Sequence, residues 1–217
     1  MKNKAILLLT ILLLPALYVL AQQPFSEGTI KYKVVFETAD KKTFSGTYIF
    51  TFKNGQIKKD FRLNNGFEDV VLINTNNNSI YSLRSMNGKK YAIQLSAEEM
   101  ASRQEKYKGF TLKEQKNSDK EIAGMKAQRG ELIYQNGTHS TIYYNANWYA
   151  ASAITYERFP DARFLPLEYT YTDDMKGFTM HMVAESVSQS PVENAVFRIP
   201  ADYKLISNEE YKQISRQ

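Results

Sequence analysis

Alternation of side-chain character in two runs near the C-terminus restricts this chain to a sheet with one covered face. Leu167, Tyr169 and Tyr171 alternate with Glu168, Thr170 and Thr172. Phe178, Met180, Met182 and Ala184 alternate with Thr179, His181, Val183 and Glu185. Successive side chains of a strand point to opposite faces, so each run supplies one face to a core. A short link containing Asp and Gly joins the two runs, which predicts a β-hairpin. Phe197-Arg198-Ile199-Pro200 is expected to close the sheet, because Pro200 has no N–H to give to a ladder.

The same periodicity recurs upstream. Thr29–Glu37 places Ile30, Tyr32, Val34 and Phe36 on one face. Lys42–Lys53 does so with Phe44, Tyr48, Phe50 and Phe52, and Gln56–Asn64 with Ile57, Phe61 and Leu63. Phe67–Asn74, Ser79–Met86 and Lys89–Leu95 follow, which predicts an antiparallel meander of six strands. Asn54-Gly55, Asn87-Gly88 and Asn136-Gly137 read as type I′ turns, whose central residues need positive φ. Ser96-Ala97-Glu98-Glu99 is a capping box, opening a helix to about Lys108 with Gly109 just past its end. Its apolar stripe of Ala97, Met100, Ala101 and Tyr107 is thin and interrupted by Gln104, which suits a helix lying over a surface. Phe110–Lys116 returns to strand, and 117–124 reads as a polar connection. Met125–Gln135 and Thr138–Asn145 form a further hairpin, and 146–161 is the least regular segment. A second capping box, Ser207-Asn208-Glu209-Glu210, opens a terminal helix.

The first 21 residues read as a signal peptide. Lys2 and Lys4 precede the apolar run Ala5–Leu14, and Val19-Leu20-Ala21 offers a cleavage site. The alternative is a retained anchor, for which Ala5–Ala21 sits at the short limit of about 17 residues. Cleavage leaves residues 22–217 as a single domain, periplasmic or secreted, with no integral membrane span. It removes Lys2 and Lys4 from 28 basic residues and none of the 23 acidic ones, so the net charge becomes +3. With no basic face and no recognisable module, the pattern argues against nucleic acid as a partner. The chain has no Cys, so it uses neither disulfides nor a thioether-linked lipid.

Five segments carry a family resemblance: Ile122-Ala123-Gly124-Met125-Lys126-Ala127, Thr141-Ile142-Tyr143-Tyr144-Asn145, Leu165-Pro166-Leu167, Met182-Val183-Ala184-Glu185-Ser186-Val187 and Phe197–Lys204. Over roughly Ser118–Lys204 the chain resembles the exported, largely uncharacterised DUF4412 domains, and more distantly lipoprotein carriers of the LolA/LolB type. The resemblance implies a mainly β (α+β) fold: a curved antiparallel sheet forming an incomplete β-barrel, with a helix across the concave side. In the carriers that cavity holds acyl chains. No carrier functional residue matches a position in this sequence, so none is carried over.

Candidate chemistry is sparse. Met180-His181-Met182 contains soft-metal ligand types, but a strand turns Met180 and Met182 one way and His181 the other. No metal site and no cofactor is therefore assigned. With two His, no Cys and no G-x-S-x-G, H-E-x-x-H or P-loop string, the chain reads as a non-enzyme. The acid pairs Glu98/Glu99, Asp173/Asp174 and Glu209/Glu210 lie at caps or turns, where acids serve structure. Arg103 to Glu121 mixes both signs of charge and reads as a solvated edge. The candidate ligand-binding residues are Tyr48, Phe50, Phe52, Met100, Met180 and Met182 in the cavity, and Trp148 and Tyr149 at its rim. The favoured reading is an exported binder of a lipid or other hydrophobic small molecule. The alternative is an interaction module for an envelope protein or glycan, working through the Trp148–Tyr149 rim.

Overall fold

A computed structural model describes residues 22–152, 155–160, 162–173 and 177–216. The signal segment 1–21 and the hairpin link 174–176 fall outside the described residues. Among the described residues, no helix is long and apolar enough to cross a membrane.

The chain opens with β1 (Gln23–Phe25) and then runs the meander β2 (Glu27–Thr38), β3 (Thr43–Lys53), β4 (Gln56–Leu63), β5 (Glu68–Asn74), β6 (Ser79–Met86) and β7 (Lys89–Leu95). Helix α1 (Ala97–Glu105) follows, then β8 (Thr111–Ile122), β9 (Met125–Ile133), β10 (His139–Asn145) and β11 (Trp148–Ala150). The hairpin β12 (Leu165–Asp173) and β13 (Phe178–Ser188) precedes β14 (Lys204–Ser207) and α2 (Asn208–Ile214). Twelve strands form one sheet in the order β14-β7-β6-β5-β4-β3-β2-β13-β12-β10-β9-β8. It curves without closing, as the family resemblance implied. The central pairing is β2 with β13, which joins the N-terminal meander to the C-terminal hairpins.

Curvature has local causes. The ladders slip register between Ala184 and Ser186, between Tyr143 and Tyr144, and between Gln115 and Lys120. Such irregularities bend a strand and tighten its twist. Gly46 on β3 allows a close backbone approach, since a Cβ there would lie 2.0 Å from the Arg62 carbonyl oxygen.

Several expectations need correction. Helix α1 stops at Glu105, three residues early, because the chain tightens into i→i+3 bonds from Tyr107 N–H to Gln104 C=O and from Lys108 N–H to Glu105 C=O. Residues 117–122, read as a connection, continue β8, and the reversal is confined to Ala123-Gly124, both at positive φ. Asn54-Gly55 and Asn87-Gly88 have the positive φ pair of a type I′ turn, whereas around Asn136-Gly137 only Gly137 does. There Gly137 N–H bonds to Tyr134 C=O and Tyr134 N–H to Thr138 C=O, a three-residue loop with its glycine in the left-handed position. Phe197-Arg198-Ile199-Pro200 does not close the sheet. Asn194–Phe197 is a 3₁₀ turn, and the closing strand is β14, parallel to β7. Both parallel strands run straight into capping boxes, at Ser96 and Ser207, and Asn208 Nδ2 donates to Glu99 Oε1 at 2.7 Å between them.

Within 146–161, expected to be irregular, Trp148–Ala150 form β11, and residues 155–160 and 162–164 are the inner plug of the fold. Tyr156, Phe159 and Phe164 are buried in the main core with Tyr32, Phe50, Leu167 and Met182. Tyr32, fully buried, donates its hydroxyl to the Pro166 carbonyl at 2.7 Å and lies 2.8 Å from the Tyr156 hydroxyl. A phenol has one proton, so with Tyr32 donating to Pro166, Tyr156 is the donor to Tyr32. Tyr32→Phe therefore strands two polar groups and Tyr156→Phe only a lone pair. Urea denaturation is expected to show a loss of about 2–3 kcal/mol for Tyr32→Phe and about 1 kcal/mol for Tyr156→Phe. Equal losses would contradict this donor order.

Candidate functional site

Two adjoining cavities lie on the concave side. The inner one, of 110 Å³, is lined by Tyr48, Phe50 and Lys59 from the meander, Thr155 to Phe159 from the plug, and Tyr169, Tyr171, Met180 and Met182 from the β12–β13 hairpin. The outer one, of 810 Å³, has walls of Phe36, Phe44, Phe61, Leu63, Phe67 and Phe178, with Arg84, Arg103, Lys106 and Asp69 among its polar lining. Glu157, Tyr171 and Met180 border both.

Strand register explains the inner wall. Phe50 of β3 pairs with Lys59 of β4, and Tyr48 with Phe61, so all four share the concave face. Met180 pairs with Tyr171 and Phe36, and Met182 with Tyr169 and Val34, which builds a continuous apolar strip. Gln104, which interrupts the stripe of α1, faces inward: it is buried, and its Nε2 donates to the Tyr156 carbonyl at 3.4 Å. Met100 and Tyr107 from the same stretch are buried in the main core.

Lys59 is the residue that sequence reading missed. Its position, midway between the inward Ile57 and Phe61, was the available signal. It is 6% exposed, and its Nζ lies 5.9 Å from the Phe50 ring centroid. Burial pulls its pKa down to about 8, with Arg103 adding to the effect and Glu157 and Asp69 opposing it. Two further polar groups converge on the inner cavity. Thr155 is 1% exposed, and its Oγ1 has no hydrogen-bond partner. The Arg158 guanidinium sits 3.5 Å from the Tyr171 ring centroid and 4.1 Å from that of Tyr107. Its Nη2 donates to the Thr172 carbonyl at 3.1 Å, while its buried Nε has no partner. Burial also pushes the phenols of Tyr48, Tyr156 and Tyr169 above their ordinary range.

The candidate binding residues separate by place. Tyr48, Phe50, Met180 and Met182 line the inner cavity. Phe52 and Met100 are packed into the core, with Phe52 edge-on to Phe25 at 5.4 Å. Trp148 packs against Phe25 at 6.2 Å, on the two-stranded β1–β11 ribbon, and Tyr149 lies under the Arg163 guanidinium at 4.8 Å. His181 faces away from the cavity, its Nε2 3.4 Å from Glu168 Oε1, and His139 pairs with Glu131 at 2.9 Å.

Lys59 has a pH signature. Its folded pKa of about 8 lies below its ordinary value of 10.5, so between these limits the unfolded chain holds a proton that the folded chain has released. Stability should rise with pH across that window. The buried tyrosines act oppositely above about pH 10, where unfolded phenols ionise and folded ones do not. Chemical denaturation across a range of about pH 7–11 is expected to show a maximum near pH 9–10. Lys59→Met should abolish the rise and add about 3 kcal/mol at pH 7. A destabilised variant with the rise intact would show that Lys59 is not the group responsible.

No family model matches the chain, so the DUF4412 resemblance rests on its sequence segments alone. No curated protein matches it either. Solved structures that overlay on the chain include an uncharacterized conserved protein from Thermus thermophilus, at 8% identity and a TM-score of 0.48, covering 85% of this chain and 93% of that one. MucB from the Pseudomonas aeruginosa MucA/MucB complex overlays at 8% identity and a TM-score of 0.43, covering 84% of this chain and 59% of that one. In the structure of MucB alone, the overlay spans 61% of the MucB chain. The LolA superfamily protein NE2245 from Nitrosomonas europaea overlays at 11% identity and a TM-score of 0.38, covering 82% of this chain and 92% of that one. No site residue is transferred from any of them.

Proposed function

We propose that the protein is an exported, non-catalytic binding protein of the periplasm that holds a lipid or other hydrophobic ligand on the concave side of its sheet. The outer cavity carries this reading. Its 810 Å³ falls in the range of about 300–1,000 Å³ of small-molecule sites, and Phe36, Phe44, Phe61, Phe67 and Phe178 give it an aromatic wall. Phe67 on that wall is 44% exposed, an apolar surface that a ligand would cover. A few charged side chains at fixed places among aromatic walls suit orientation of a ligand by one polar end.

Native mass spectrometry of residues 22–217, followed by solvent extraction, tests the reading. The expected result is a co-purifying apolar small molecule whose occupancy falls about tenfold in Leu63→Trp, which narrows the outer cavity at its wall. Wild-type protein that stays ligand-free when offered long-chain lipids would overturn it.

A further inference from the structure

The inner cavity is mostly apolar, yet it carries polar side chains for which a purely apolar ligand site would have no use. Lys59, Thr155 and Arg158 all line a space of 110 Å³, too small for an acyl chain and large enough for a head group. Thr155 Oγ1 is buried without a hydrogen-bond partner, and so is Nε of Arg158, whose guanidinium also stacks on Tyr171 and Tyr107. Buried polar atoms in native proteins are nearly always paired, so two such atoms on neighbouring residues that line one cavity point to a missing ligand group. Arg158 Nε is a donor only, and the Thr155 hydroxyl can donate. The ligand group that suits them is an acceptor, and with two cations lining the space it is an anion.

We infer that the inner cavity is a head-group site for a carboxylate, and that the ligand is a long-chain monocarboxylate amphiphile whose tail occupies the phenylalanine-walled outer cavity. The inference rests on the hydrophobic-ligand reading above and sharpens it. The two cavities share Tyr171 and Met180, so a head at Lys59 leads directly to a tail against Phe61 and Phe178. Glu157 also borders the inner cavity and opposes an anion there. Lys59 and Arg158 outnumber it, Arg103 of α1 adds positive potential at Lys59, and the charge of Asp69 is offset by the Arg84 guanidinium 3.0 Å away, with which Oδ1 makes no hydrogen bond. An anion beside Lys59 would favour its protonated form. The phenols that line the same space, those of Tyr48, Tyr156, Tyr169 and Tyr171, are all raised by burial, so Lys59 is the group among them that changes charge between neutral and mildly alkaline pH.

Isothermal titration near neutral pH with sub-micellar palmitate, hexadecanol and butyrate separates the two levels of the argument. Wild-type protein is expected to bind palmitate at least tenfold more tightly than hexadecanol, and butyrate far more weakly than either. In Lys59→Met, the preference for palmitate over hexadecanol should disappear, and hexadecanol that still binds shows that the variant keeps its cavity. Thr155→Val should lower the palmitate-to-hexadecanol ratio about threefold and serves if Lys59→Met does not fold. Raising the pH to about 10 should weaken palmitate and leave hexadecanol alone. Equal binding of palmitate and hexadecanol by the wild type would overturn the head-group site and leave the apolar cavity standing. Butyrate binding as tightly as palmitate would overturn the amphiphile. Binding of none of the three would overturn both this inference and the function on which it rests.

Discussion

The hydroxyl of Tyr32 anchors the inside of this molecule. It sits on β2, the strand that joins the two halves of the sheet, and bonds to the Pro166 carbonyl and the Tyr156 hydroxyl. A curved sheet with one apolar face must cover that face, and the plug around Tyr156, Phe159 and Phe164 does much of the covering. A plug of irregular chain carries backbone and side-chain polar groups into the interior, and each needs a partner. Tyr32 meets that need at the centre, Gln104 meets it from α1 through the Tyr156 carbonyl, and Tyr134 donates to the Arg158 carbonyl at 3.2 Å. The aromatic contacts then fix the plug in place, with Phe159 edge-on to Tyr169 at 5.0 Å and Tyr156 against Phe50 at 5.1 Å.

Because the sheet stays open, its two edges need separate protection. One edge is β8, where Lys113, Glu114, Lys116, Asp119, Lys120 and Glu121 place charge along the unpaired side. Charges of this kind discourage pairing with another chain, so the mixed run is a device of the edge strand. The other edge is β14, four residues long and followed at once by α2. A short edge that ends in a capped helix offers little template for another strand. The curvature thus persists without closure into a barrel.

Legibility in the sequence followed the range of the forces involved. Period-two runs, Asn-Gly turns and capping boxes are local, and the meander, the β12–β13 hairpin and both helix starts were readable for that reason. The parallel pairing of β14 with β7 joins segments far apart in the chain, and nothing local to Lys204–Ser207 announces it. Asn136-Gly137 had the sequence of a type I′ turn, yet the ladder from Tyr134 to Thr138 required an extra residue and chose another geometry. The apolar part of the cavity was legible through Tyr48, Phe50, Met180 and Met182, since alternation assigns their face. The plug was not, because Tyr156 and Phe159 lie in a segment with no period to read. Trp148 drew notice as the sole tryptophan, but its neighbour Phe25 is supplied by β1, a strand too short to stand out.

Lys59 shows why the concave side is more than core. Binary pattern asks for an apolar residue between Ile57 and Phe61, and the chain places an ammonium there at a cost in folding stability. Burial beside Phe50 disfavours the charge, and the acids that act on it, Glu157 and Asp69, offset this only in part. The Arg158 guanidinium brings a second cation to the same small space, and Thr155 brings a hydroxyl with no partner. A core selected for stability alone would replace all three with apolar side chains of similar volume. Local rules broken together, in one small space that adjoins a larger one with an aromatic wall, mark a place where the sequence answers to a ligand as well as to the fold.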